Sequence, residues 1–439
     1  MKKAILLALV LFLTTTAFSQ GVLKLFNRSQ TFFALLEQEK FDEAYTGFST
    51  DFQAKVSKDK LKQVWYSLSA QLGVLVEVNL VSSKTEGDYS VVTVEVKFDK
   101  DTQEFLLAFD KSEKMVWFTP LPKKVNRVYS KPTYGDTALY KETEVQVKTP
   151  GHTNALVGVL TQPKGTSNFP IVVMVHGSGP LDMDATVGSN RPFKDLAAGL
   201  ADKGIASIRY VKRTMVYPGE FSGAITVKEE TLDDAVAAVA LARTIPGIDK
   251  QQVYILGHSL GGLLAPRLAT LVPDVNGLIL LAAPARSLID VIVDQNTDAY
   301  SLSKDTTAAG KGQMAALTSD LQKIKSLKPG SIKPDSVLFG LPASYWIDLN
   351  QYDQLATAKK LKQRIFVGQG GYDFQVSIKD YNLWTEGLGK KKNATLKLYP
   401  ALNHLMTPQT ERGTVRQYEV PSNVSADLIN DISAWIKTK

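Results

Sequence analysis

The chain has 439 residues, too many for one ordinary domain and enough for two or three, and is globular in composition at 44% hydrophobic and 22% charged. Its formal charge of +7 is spread along the chain, apart from the run Lys390-Lys391-Lys392, which gives no support to a nucleic-acid or membrane-surface role. Cysteine is absent, which excludes disulfides, a lipoprotein anchor and a thiol acting as nucleophile or metal ligand.

Residues 1–19 have the layout of a secretory signal peptide. Lys2-Lys3 is the positive start, Ala4 to Leu13 is an apolar stretch too short to span a bilayer, and Ala17-Phe18-Ser19 fits small-x-small cleavage before Gln20. With no later apolar span, the expectation is a secreted or periplasmic protein without a membrane anchor. Residues 20–122 read as a small α+β domain, helices first and an antiparallel meander after. Leu61, Val64, Trp65 and Leu68 form one helix face, while Val92, Val94, Val96 and Phe98 alternate with polar residues as a half-buried strand. Gln103 to Phe109 and Met115 to Phe118 are further strands, with a turn at Asp110 to Lys114. Residues 123–140 are polar, contain Pro132 and Gly135, and read as a linker.

From Lys141 strands and helices alternate, the pattern of a mostly parallel sheet covered on both faces. Ile171 to Val175, Ile205 to Tyr210, Val253 to Leu256, Leu278 to Leu281, Ile365 to Val367 and Leu396 to Leu398 are strands. Phe193 to Leu200, Thr231 to Arg243 and Ala426 to Ile436 are helices. One long insertion, about 287–358, is mostly helical (Met314, Leu317, Leu321 and Ile324 share a face) and is expected as a cap over the strand ends. Near its end Tyr345, Trp346 and Tyr352 either line an acyl pocket or pack between helices.

The most specific motif is Gly257-His258-Ser259-Leu260-Gly261, between a strand and a helix. This G-x-S-x-G turn forces the serine into a strained backbone and holds its hydroxyl clear of the sheet. Pro266, inside the following helix, removes the donor to the Gly262 carbonyl and should kink it. A serine hydroxyl needs a base. Of four histidines, His152 precedes the core strands, His176 ends a strand and His258 adjoins the serine, all three better read as structural. His404 comes late, after a strand, and is the base by elimination and position. Asp373, in a Gly-rich turn after the strand Ile365 to Val367, is the expected acid, and Asp380 the rival, placed after a helical run. An oxyanion hole requires two backbone N–H groups. Leu260 should supply one and Ser178 the other, with Gly177 the alternative, both from the loop His176-Gly177-Ser178-Gly179-Pro180.

On these residues the region 141–439 resembles the α/β-hydrolase superfamily, closest to secreted bacterial esterases of the dienelactone-hydrolase and serine-aminopeptidase-like branch. The matching pieces are Pro170 to Pro180, Gly257 to Pro266, Ala283-Pro284-Ala285-Arg286, Gly370 to Val376 and Leu402-Asn403-His404. The resemblance implies an α/β-hydrolase fold with a helical cap and a cofactor-free carboxylic ester hydrolase. One departure is Arg209-Tyr210-Val211-Lys212-Arg213, where relatives often carry an acid at the position of Val211, which puts polar contacts from this loop in doubt. The first domain resembles cone-shaped α+β modules fused ahead of such hydrolases. That likeness implies a packing or assembly role, including a homodimer through this domain.

The expectation is therefore an exported serine hydrolase of small or medium acyl esters acting through Ser259, His404 and Asp373. A serine peptidase or amidase on the same fold is the alternative, with Asp182 and Asp184 as amine-binding candidates or solvated loop residues. A non-catalytic binding protein comes third. No metal or other cofactor is expected, since no H-E-x-x-H or close histidine pair occurs.

Overall fold

The computed structural model describes residues 24–121, 128–221, 223–303 and 306–438. The expected signal peptide and the first part of the expected linker lie outside the described residues. The chain divides into two compact units at Asn126/Arg127.

The first unit has helices α1 (residues 24–37), α2 (Phe41–Thr46), α3 (Thr50–Lys55) and α4 (Lys58–Leu72). Ser49 and Ser57 cap α3 and α4 by accepting backbone N–H groups that lack a helical partner. Four antiparallel strands follow in the order β1 (Leu75–Glu86), β2 (Tyr89–Phe98), β3 (Thr102–Phe109) and β4 (Met115–Pro120). Val92, Val94, Val96 and Phe98 on β2 are buried with Leu61 and Trp65 of α4, so the period-2 and helical patterns meet in one core.

The second unit is built on an eight-stranded sheet. Its strands are β5 (Tyr140–Val147), β6 (Leu156–Pro163), β7 (Phe169–Val175), β8 (Ala206–Tyr210), β9 (Ile248–His258), β10 (Gly277–Leu281), β13 (Arg364–Gly370) and β14 (Ala394–Tyr399). Their order is β14-β13-β10-β9-β7-β8-β6-β5, and only the pairs β5·β6 and β6·β8 are antiparallel. Ile171, Val173 and Val175 enter one core and Val172 and Met174 the other, which is why β7 reads as an unbroken apolar run. Helices α5 (Pro192–Asp202) and α14 (Ala426–Lys437) cover one face. The other is covered by α7 (Asp233–Ala242), α8 (Leu260–Leu271), α12 (Gln354–Lys360) and α13 (Ile378–Leu388). A short helix, α6 (Arg213–Val216), follows β8.

The insertion between β10 and β13 holds α9 (Leu288–Ser303), α10 (Ala308–Lys325), a hairpin of β11 (Val337–Leu338) and β12 (Leu341–Pro342), and α11 (Ala343–Asn350). Leu321, Ile324, Tyr345 and Trp346 anchor it to the main core. Phe339 and Gly340, the two residues joining β11 to β12, both have positive φ (48° and 81°).

One expectation changes in detail. Residues 128–139, read as linker, belong to the second unit: the Tyr134 hydroxyl donates to the Val424 carbonyl, Gly135 N to Asp202 at 2.8 Å, and Asn423 to the Ser130 carbonyl at 2.7 Å. α8 continues through Pro266, where a kink is expected, and Tyr352 bonds its backbone at that turn. That phenol accepts from Arg267 N at 3.1 Å and donates to the Leu263 carbonyl at 3.1 Å, bridging two backbone groups one turn apart. Tyr352 is thus a packing residue of this helix.

Candidate active site

The turns following the parallel strands converge, as they do at ligand crevices of open α/β sheets. Ser259 stands between β9 and α8 with φ 55° and ψ −118°, outside the allowed regions for a residue with a Cβ. Its N–H donates to the Leu281 carbonyl at 2.9 Å, which ties the turn to β10. Gly261 is required by close approach: a Cβ there would lie 2.3 Å from the Val175 carbonyl oxygen. The absent side chain lets α8 start against the end of β7, where the loop 176–180 begins.

Asp373 lies in the turn after β13 and is 1% exposed. One oxygen accepts the N–H groups of Gln375 and Val376 at 2.8 and 2.9 Å. The other accepts the Gln369 amide at 3.1 Å and faces His404 Nδ1 at 2.8 Å. A Cβ on Gly370 would sit 2.3 Å from the Leu402 carbonyl oxygen, so that glycine lets the Asp373 and His404 turns touch. Asp380, the rival carboxylate, is buried elsewhere, accepting from Ala285 N at 2.9 Å and from the Arg286 side chain at 3.0 Å. Arg286 is a competing partner that the sequence pattern did not reveal.

His258 and His176 bond backbone carbonyls. His258 Nε2 donates to the His404 carbonyl at 2.8 Å, and burial followed by the nearby His404 ring lowers its pKa to about 4. His176 meets the Asp182 carbonyl at 3.0 Å, and burial with the neighbouring Lys212 charge lowers its pKa to about 3. His152 faces Glu220 at 2.8 Å. Asp182 folds its own loop by accepting from Asp184 N, Thr186 N and the Thr186 hydroxyl, and Asp184 pairs with Arg209. Both carboxylates are thus engaged, Asp182 by its own loop and Asp184 by Arg209.

Ser259 and His404 line one cavity of about 960 Å³, although no hydrogen bond joins the Ser259 hydroxyl to the His404 ring. Gly177 and Ser178 line it as well, and a Cβ on Gly177 would lie 3.2 Å from that of Ser259. Among the described residues the N–H groups of Leu260 and Ser178 donate to no protein acceptor. The cap contributes an apolar wall, including Leu288, Val291, Ile292, Phe339, Tyr345 and Trp346.

The sequence reading missed one polar chain. Lys212, 3% exposed, donates to the Gly177 carbonyl at 2.8 Å and to Glu230 at 2.6 Å, and the Tyr345 hydroxyl donates to the second oxygen of Glu230 at 2.6 Å. Lys212 was detectable by position, directly beyond a parallel strand. With Arg213, which pairs with Asp234 at 2.8 Å, it gives the loop its polar contacts despite Val211.

The model of the alpha/beta hydrolase family matches residues 172–367. Esterase EstD of Thermotoga maritima is 33% identical over 401 residues, covering 91% of this chain and 92% of that protein. The chain belongs to the alpha/beta hydrolase family. As a hydrolase of that family it carries an additional first unit, of which residues 29–118 match a family described as protein of unknown function (DUF3887). Among solved structures, Est1E from Butyrivibrio proteoclasticus is 15% identical with a TM-score of 0.43, covering 67% of this chain and 99% of that one. An esterase of Pyrococcus furiosus is 14% identical with a TM-score of 0.42, covering 72% and 98%. No helix of the described residues is long and apolar enough to cross a membrane.

Proposed function

We propose that the protein is an exported serine carboxylesterase acting on esters of small or medium acyl groups. The observation that carries the reading is the buried Asp373–His404 bond at the edge of a cavity that also holds the strained Ser259. The similarity to an esterase over nine-tenths of both chains supports the bond type. His404 takes the Ser259 proton as Oγ attacks the acyl carbonyl, and returns it to the leaving alkoxide. Asp373 holds the Nδ1–H tautomer and stabilises the imidazolium. The Leu260 and Ser178 N–H groups receive the oxyanion. Water then repeats the cycle on the acyl-enzyme, and the apolar cap wall accommodates an uncharged chain.

The test is hydrolysis of p-nitrophenyl acetate, butyrate and octanoate by the protein and by Ser259→Ala. Loss of turnover in the variant with all three esters is expected, and equal rates for both proteins would end the esterase reading. Export predicts that the protein recovered from the producing cell's periplasm or medium begins at Gln20. A cytoplasmic protein retaining residues 1–19 would refute it.

A further inference from the structure

We propose that Lys212 is the positioning residue of the oxyanion peptide, coupled to the cap through Glu230 and Tyr345. The inference rests on the serine-esterase reading above. In a trans peptide the carbonyl of one residue and the N–H of the next point in opposite directions. The Gly177 carbonyl and the Ser178 N–H belong to one such unit. Lys212 Nζ holds that carbonyl at 2.8 Å, which directs the Ser178 N–H to the side away from the ammonium. If the peptide turned over, the Gly177 carbonyl would present its lone pairs to the developing oxyanion in place of a donor. The restraint matters because the residue on the carbonyl side of the unit is Gly177, which has no Cβ to hinder its rotation.

Lys212 lies outside the wall of the substrate cavity, so its effect passes through the peptide it grips. Its own place is fixed by Glu230 and by its N–H, which donates to the Leu181 carbonyl at 3.0 Å. Glu230 sits in a single π-helical turn, Lys228–Leu232, immediately before α7. Such turns insert one extra residue and recur at functional sites. Tyr345 belongs to α11 of the cap and also lines the cavity. A substrate seated against the cap therefore touches the residue whose hydroxyl bonds the carboxylate that fixes Lys212. This links occupancy of the apolar wall to the orientation of a donor used only in the transition state.

The experiment compares wild type, Lys212→Met, Tyr345→Phe and Ser259→Ala with p-nitrophenyl butyrate. It also measures the affinity of each for a trifluoromethyl ketone, which adds Ser259 to form a charged tetrahedral mimic, and for the corresponding methyl carbinol as a ground-state ligand. Lys212→Met should lower kcat about 100-fold, the loss expected of one oxyanion donor, with KM changed less than about 3-fold. Tyr345→Phe preserves the packing and should lower kcat about 10-fold, with affinity for the ketone falling in parallel and that for the carbinol unchanged. If Lys212→Met does not fold, Tyr345→Phe alone decides. Both variants within 2-fold of wild type, or equal losses for ketone and carbinol, would overturn the proposal. An active Ser259→Ala would remove the serine reading and this inference with it, whereas an inactive Ser259→Ala beside a fully active Tyr345→Phe would remove this inference alone.

Discussion

Asp373→Asn is the sharpest single test of the arrangement. The carboxylate receives four donors: two backbone N–H groups on one oxygen, and the Gln369 amide with His404 Nδ1 on the other. An asparagine keeps its single oxygen where the two backbone donors converge, because turning the amide over would face its NH₂ against both. The NH₂ then points at His404 Nδ1, which can only accept, so the ring proton moves to Nε2 and the base is blocked. Loss of the tautomer and of the carboxylate charge should lower kcat by about 10⁴-fold, or about 5.5 kcal/mol of transition-state stabilisation. The variant should remain folded, at a cost of about 1–3 kcal/mol for the mismatched Gln369 contact. The assay is kcat and KM for p-nitrophenyl butyrate, with thermal unfolding of both proteins. A folded Asp373→Asn within 10-fold of wild type would refute the role given to this carboxylate.

Three further outcomes follow from other parts of the hydrolase unit. Tyr352→Phe leaves Arg267 N and the Leu263 carbonyl without their shared partner and should cost about 1–3 kcal/mol in denaturant unfolding, unless α8 closes its own ladder, in which case stability would be unchanged and the bridging role wrong. Burial holds His258 neutral down to about pH 4, so it adds no second proton above that pH, and log kcat/KM should fall on the acid side with a slope of one. A slope of two between pH 5 and 7 would contradict this. Phe339 is 51% exposed, lines the cavity and occupies a turn position that favours asparagine. Phe339→Asn should raise the unfolding midpoint by roughly 1–2 °C while lowering kcat/KM for octanoate several-fold and sparing acetate. An equal loss for both esters would argue against a chain-contact role.

What was legible in the sequence follows from how each feature is made. Strands buried on both faces, such as Phe169–Val175, show as apolar runs, and the elbow shows because Ser259 and its glycines answer a local steric demand. Asp373 and His404 were legible because chain order in a parallel sheet fixes which turns meet. β1 was missed although Val76-Glu77-Val78-Asn79-Leu80 alternates; it is an edge strand on which Val76, Leu80 and Val81 are exposed. The Lys212–Glu230–Tyr345 chain draws on three distant segments, and a lysine or glutamate in sequence is by default a solvated residue. The π turn that places Glu230 depends on tertiary packing and leaves no periodicity of its own.

The backbone of Ser259 carries one more consequence. At φ 55° and ψ −118° a glycine would be at ease, while any residue with a Cβ is strained by an amount on the order of 1–3 kcal/mol. Selection for folding alone would therefore place glycine at the one position where the proposed chemistry requires a hydroxyl. A chain released from the proposed chemistry would gain stability from glycine at this position, so stability and the proposed function pull it toward different residues.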